Sequence, residues 1–187
     1  MILQDKTSQH VLRIVVSVCK TFFLHRPVII IQTVDHTTTA LWRAYPPTTN
    51  YGHLTTLHKA AILDLQWSLC SSLLYTVSAD HTLLYTDVTT GQRVRKIRAH
   101  RGVINALDRT VAGGAGVELV ATASDDKTVH VWEGGDEGSK QAVATLEVGS
   151  PVTAVCWSAD GTQVFAAALD NEIHVSDFQQ SFLTHSD

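Results

Sequence analysis

Residues 124–133 read SDDKTVHVWE, and the same phrase returns as SADHTLLYTD at 78–87, LDNEIHVSD at 169–177 and VDHTTTALW at 34–42. In each, an aspartate (Asp35, Asp80, Asp126 or Asp170) marks a polar turn, and a run suited to a β-strand follows it. The aspartates lie 45, 46 and 44 residues apart. Asp126 is followed six residues later by Trp132. A repeat of this length, with this turn and strand, is the spacing of one four-stranded propeller blade. The chain reads as an all-β row of about four blades over a single region, 1–187, with blades at approximately 10–57, 58–98, 99–147 and 148–187.

Working outward, blade two offers strands at AILDLQW, LLYTVS, TLLYTD and RVRKI, with a turn at Thr89, Thr90 and Gly91. Blade three repeats the plan with VINALD, ELVATAS, TVHVW and QAVATL, and blade four with VTAVCW, QVFAAA, EIHVSD and a shortened FLTH. Period-two alternation is weak because neighbouring blades cover both faces of a strand. Blade one offers VLRIVVSV, VIIIQTV, TTTALWR and HLTTL. Its Asp35 to Trp42 spacing is seven, which calls for a bulge or a shifted turn. The residues before His10 fit no blade.

The chain has 187 residues, a formal net charge of −4, 17% charged and 44% hydrophobic residues, so no global nucleic-acid or membrane signature stands out. Cys19, Cys70 and Cys156 are odd in number and far apart, which favours a reducing compartment over a disulfide framework. The apolar stretch from Val11 to Leu24 is interrupted by Arg13 and Lys20 and has no small-residue cleavage site after it. Neither a signal peptide nor a membrane span is expected there.

These signatures resemble the WD-repeat (WD40) family from about Gln9 to Thr184. In blade three, His100, Ser124, Asp126 and Trp132 stand where that family places its hydrogen-bond network. Blade two keeps His58, Ser78 and Asp80 but has Thr86 in place of the tryptophan. Blade four keeps Asp170 and Asp177, lacks the histidine, and has Ser176 for the tryptophan. The stretches NYGHLTTLHKAAILDLQW, DVTTGQRVRKIRAHRGVINA and LDNEIHVSDFQQ further resemble the WD-repeat proteins of the U5 small nuclear ribonucleoprotein, whose fourth repeat also lacks the histidine. The resemblance implies a closed seven-bladed ring of roughly 300 residues serving pre-mRNA splicing. Four blades make only an open part of such a ring.

His100, Ser124 and Asp126 have the composition of a nucleophilic triad, but no GxSxG elbow or oxyanion donor pair accompanies them. They read instead as a network pinning a turn, so no catalytic residue and no enzyme activity is expected. His130 and His174 each follow a turn aspartate by four residues, on separate sheets, with no HxxxH or Cys/His cluster to complete a metal site. The glycines 113, 114, 116, 134, 135 and 138 precede no GK[ST], so no phosphate-binding loop, cofactor or metal is expected.

The run RVRKIRAHR holds five fixed cations, Arg93, Arg95, Lys96, Arg98 and Arg101, and no acid. Two readings stand: contact with RNA phosphates or an acidic protein surface, and a charged guard on an outer edge strand.

The expected function is a noncatalytic, nuclear scaffold of the U5 particle. It would bind spliceosomal proteins, the large central U5 protein above all, through blade-end loops near His58, Asp80, His100, Asp126 and Asp170, with weak or indirect RNA contact and no membrane. The alternatives are a generic WD-repeat adaptor, such as a ubiquitin-ligase substrate receptor that would be cytoplasmic, and a truncated product without independent function. An open arc exposes apolar blade faces and so invites self-association.

Overall fold

The computed structural model describes residues 17–18, 29–35, 38–43, 50–54, 58–112, 116–136 and 138–178. Every regular element among them is a strand. The first sheet holds β1 (Ser17–Val18), β2 (Ile29–Asp35), β3 (Thr38–Arg43) and β4 (Asn50–Leu54) in that order. The second holds β5 (Ile62–Trp67), β6 (Leu73–Ser78), β7 (Thr82–Asp87) and β8 (Arg93–Arg98). The third holds β9 (Ile104–Ala112), β10 (Val117–Ser124), β11 (Thr128–Glu133) and β12 (Ala144–Glu147), and the fourth β13 (Val152–Trp157), β14 (Gln163–Ala168) and β15 (Ile173–Asp177). All neighbours run antiparallel, as short connections require, and the sheets do not close into a ring. The FLTH stretch and the residues before 17 lie outside the described residues.

The first repeat carries no added residue: Ile30 pairs with Trp42 as Val120 pairs with Trp132, so Asp35 stands one place early in the strand, beside a register shift between Thr33 and Asp35. A second irregularity recurs at one place in the other three sheets, beside the aspartate turns. Register slips between Ile62 and Asp64, between Ile104 and Ala106 opposite Ala123/Ser124, and between Val152 and Ala154. A bulge leaves one residue free to re-aim its side chain. Asn105 uses this freedom to reach both Asp125 Oδ1 (2.7 Å) and the Val152 carbonyl of the next sheet (2.8 Å).

Burial explains why β6 and β7 show no alternation: all but Asp87 of their residues are buried, since both faces meet neighbours. One apolar cluster joins Tyr75, Val77, Leu83 and Tyr85 of the second sheet to Ile104, Leu107, Val120 and Trp132 of the third. Another joins Leu119, Ala121, Val129 and Val131 to Val155, Trp157 and Val164 of the fourth. Each fully buried Leu, Val or Tyr contributes about 1.5–3 kcal/mol, so sheet-to-sheet packing outweighs any single polar contact. Two aspartates of the inner strands add direction. Asp64 Oδ2 accepts the Leu107 amide (2.9 Å) and Asp108 Oδ2 the Trp157 amide (2.8 Å), each linking one inner strand to the next.

Candidate functional site

In the second and third sheets the turn after the second strand brings an aspartate against the segment that leads into the sheet. In the third sheet, His100 Nδ1 lies 3.0 Å from Asp126 Oδ2, and its Nε2 lies 2.8 Å from Thr122 Oγ1. Trp132 Nε1 donates to the same threonine at 2.9 Å. The indole can only donate, so one assignment satisfies every group: Trp132 to Thr122, Thr122 to His100 Nε2, and His100 Nδ1–H to Asp126. Asp126 also accepts the amides of Arg101 (2.9 Å) and Thr128 (3.1 Å) and the Thr128 hydroxyl (2.7 Å). Burial alone would raise the Asp126 carboxyl, but the donors of Thr128, Arg101 and His100 hold it well below the usual carboxylate range. Burial, with His130 nearby, lowers His100 to about 4, so the pair is a neutral imidazole on an ionised carboxylate.

The second sheet repeats this. His58 Nδ1 meets Asp80 Oδ1 (3.2 Å) and its Nε2 meets Thr76 Oγ1 (2.9 Å), while the Lys59 amide donates to Asp80 Oδ2 (2.9 Å). Burial opposes ionisation of Asp80, yet the Lys59 amide, Thr82 and His58 bring it down to about 2. Thr86 is too short to replace Trp132, and its buried hydroxyl has no hydrogen-bond partner.

Two sequence expectations change here. The hydroxyl between histidine and strand is Thr76 or Thr122, not Ser78 or Ser124. The serines hold the turn itself: Asp80 N donates to Ser78 Oγ at 3.0 Å and Asp126 N to Ser124 Oγ at 3.2 Å. Strand alternation is the cause, since residues two apart share a face while only the nearer can reach the turn. The TVS and TAS pattern carried this signal, each threonine standing two residues before its serine. Ser124 is fully buried, and with His100 Nε2 on Thr122 this trio is not arranged as nucleophile and base.

In the fourth sheet Asp170 has no histidine from the preceding segment. Its Oδ2 takes His174 Nε2 at 3.0 Å, and its Oδ1 the Glu172 amide at 3.0 Å, all near the surface. The equivalent His130 instead stacks on His100, with ring centroids 4.2 Å apart, and bonds the Ala99 carbonyl (2.8 Å). Asp170, Glu172 and His174 bring ligand atoms within 4.8 Å of one another, but the two carboxylates are exposed and the imidazole already pairs with Asp170. This is a hydrogen-bonded surface cluster.

The basic run divides. Arg95, expected among the partner-contacting cations, is 5% exposed and points into the fold. Its guanidinium lies over Tyr85, 3.8 Å from the ring centroid, and donates to the carbonyls of Glu133 (2.6 Å) and Ser139 (3.1 Å). Alternation along β8 sends it there while its neighbours face outward. Tyr85 Oη donates to the Glu133 carbonyl and Tyr75 Oη accepts the Gly135 amide, both at 3.0 Å, so the second sheet clasps the loop after β11. Arg93, Arg98 and Arg101 are exposed, and Lys96 Nζ sits 3.7 Å from Asp80. Arg93 and Arg98 lie at opposite ends of β8, paired with Thr86 and Thr82. β8 is the outer edge of its sheet.

Successive antiparallel sheets packed through their inner strands, with a histidine–aspartate turn at one end, define a row of β-propeller blades. The model of the family described as "WD domain, G-beta repeat" matches residues 91–133 and 140–177, and the chain belongs to the WD-repeat family. It is 40% identical over 145 residues to Pre-mRNA-splicing factor cwf17 of Schizosaccharomyces pombe, covering 78% of this chain and 41% of that protein. It is 34% identical over 139 residues to the U5 small nuclear ribonucleoprotein 40 kDa protein of Dictyostelium discoideum, covering 74% of this chain and 37% of that protein. The chain thus spans about two fifths of the length of these curated relatives. A chain of a humanized mutant of the Chaetomium thermophilum Polycomb Repressive Complex 2, bound to the inhibitor GSK126, shares the fold with a TM-score of 0.75 and 21% identity, over 89% of this chain and 38% of that one.

Proposed function

We propose that the chain is a noncatalytic, nuclear interaction scaffold in pre-mRNA splicing, working with the U5 small nuclear ribonucleoprotein. The observation that carries this reading is the similarity to two splicing proteins over about three quarters of the chain. The site chemistry supports it. The His–Asp pairs are consumed in bonds that fix turns, which suits a surface that presents loops rather than one that turns over substrate. Rigid turns on packed sheets lower the ordering cost of binding a partner. The partners fitting this role are spliceosomal proteins, the large central U5 protein first among them. Leu169, Ile173 and Val175, exposed on the fourth sheet, are where self-association would occur.

The test is affinity purification of the tagged chain from nuclear extract at moderate salt, quantifying U5 RNA against the other spliceosomal RNAs. Enrichment of U5 RNA is expected. A folded preparation that enriches none refutes the splicing reading and leaves a generic adaptor. A hydrolytic activity lost in Ser124→Ala with folding intact refutes the noncatalytic one.

A further inference from the structure

Five fixed cations gather at the turn-bearing end of the second and third sheets, and two of them lie outside the basic run of the sequence. Arg98 pairs across the ladder with Thr82, beside the Asp80 turn. Lys96 Nζ and the Lys59 amide both approach Asp80 Oδ2, at 3.7 and 2.9 Å. The Ala99 amide bonds the His81 carbonyl at 3.1 Å, carrying the surface on to Arg101, whose amide bonds Asp126 at 2.9 Å. Lys127 follows in the same turn. The strip is therefore continuous from Lys59 to Lys127 through backbone and carboxylate bonds.

Its acids are set back or engaged. The side chains of Asp80 and Asp126 are 8% and 13% exposed and taken up by donors, which leaves Asp125, hydrogen-bonded to Asn105, as the exposed carboxylate among the five cations. Lys59, Arg98, Arg101 and Lys127 are exposed, which makes this a cationic surface on a chain of net charge −4. Lys127 adopts a φ of +73°, as His81 (+67°) and Asn171 (+65°) do directly after their own turn aspartates, so the repeat's turn places it there. Single-stranded nucleic acid would meet the charge but binds by stacking on aromatic platforms, and among the residues whose side chains are described the tryptophans and tyrosines, Trp67, Tyr75, Tyr85, Trp132 and Trp157, are all buried.

We infer that this strip binds an acidic peptide segment of a partner protein, an inference that rests on the scaffold reading above. The experiment uses the full chain and fluorescence anisotropy with three labelled probes: a Glu–Gly repeat peptide, a Ser–Gly peptide of equal length, and an oligouridylate of equal charge. The acidic peptide is expected to bind best, and to weaken as the Debye length shrinks from about 30 Å at 0.01 M salt to about 10 Å at 0.1 M. The triple variant Arg98→Glu, Arg101→Glu, Lys127→Glu should lose about thirtyfold in affinity, at roughly threefold or more per charge, while Arg93→Glu at the far end should change it less than about twofold. If circular dichroism shows the triple variant unfolded, the single variants Arg98→Gln and Arg101→Gln should each lose about threefold. Unchanged binding in the folded variants, no preference over the Ser–Gly peptide, or tighter binding of oligouridylate overturns the inference. Loss of U5 enrichment with peptide binding intact would remove only the splicing reading.

Discussion

Asp126 and Asp170 occupy the same place in successive repeats, yet replacing each by alanine should have very different consequences. Asp126 accepts the His100 imidazole, two backbone amides and a hydroxyl, with its side chain 13% exposed. Hydrogen bonds to a charged acceptor are worth about 1.5–3 kcal/mol each and are not additive, and a buried donor left without its acceptor costs about 1–3 kcal/mol. Asp126→Ala strands the His100 imidazole and the turn amides without their acceptor and should therefore destabilise the third sheet by about 3 kcal/mol. Asp170→Ala gives up only a half-buried imidazole near the surface and one amide and should cost a small fraction of that. Because an open array need not unfold in one step, the assay is urea denaturation together with amide hydrogen exchange. In Asp126→Ala, the Arg101 and Thr128 amides should lose protection well before those of β6. Equal midpoints for the two variants, or an unchanged Arg101 amide, would refute the reasoning.

Three further outcomes are expected. His100 titrates near 4 in the folded chain against about 6.5 unfolded, and His58 is lowered in the same direction, so the unfolded state binds more protons between those values. Thermal stability should be full above about pH 6.5 and decline as pH falls toward 4, with a shallower slope in His100→Gln, as followed by melting temperature against pH. Thr86→Val replaces a buried, unpartnered hydroxyl with a methyl of similar size and should raise stability by about 1 kcal/mol in calorimetry. Arg95→Lys loses the planar fork over Tyr85 that reaches two carbonyls, and should cost about 2 kcal/mol, with exchange rising first at Gly135 and Ser139.

The strands of the second to fourth sheets were legible almost residue by residue, because local composition and turn chemistry act over a few neighbours. The seven-residue spacing of the first repeat misled, since Ile30 and Trp42 pair at the same separation as Val120 and Trp132 and only the aspartate is displaced. The site was legible in part. His58, Asp80, His100, Asp126 and Trp132 follow from the repeat, but the threonine between histidine and tryptophan was obscured by the serine two residues on, which has the same chemistry and a different reach. Within the basic run, the turning of Arg95 into the fold was not legible, while Arg93, Arg98 and Arg101 remain exposed as expected of an edge strand and its loop.

Period and turn residues, set by short-range sterics and hydrogen bonding, determined from sequence alone that this chain makes successive antiparallel blades with a pinned aspartate turn. Tertiary structure decided where each charge ends. Strand alternation buried Arg95 over Tyr85, and the sheet-to-sheet bonds of Asp64, Asp108 and Asn105 set neighbouring blades against one another. Lys59 and Lys127, 68 positions apart in the chain, came onto one strip because backbone bonds between sheets join distant turns, a long-range contact that no local pattern encodes.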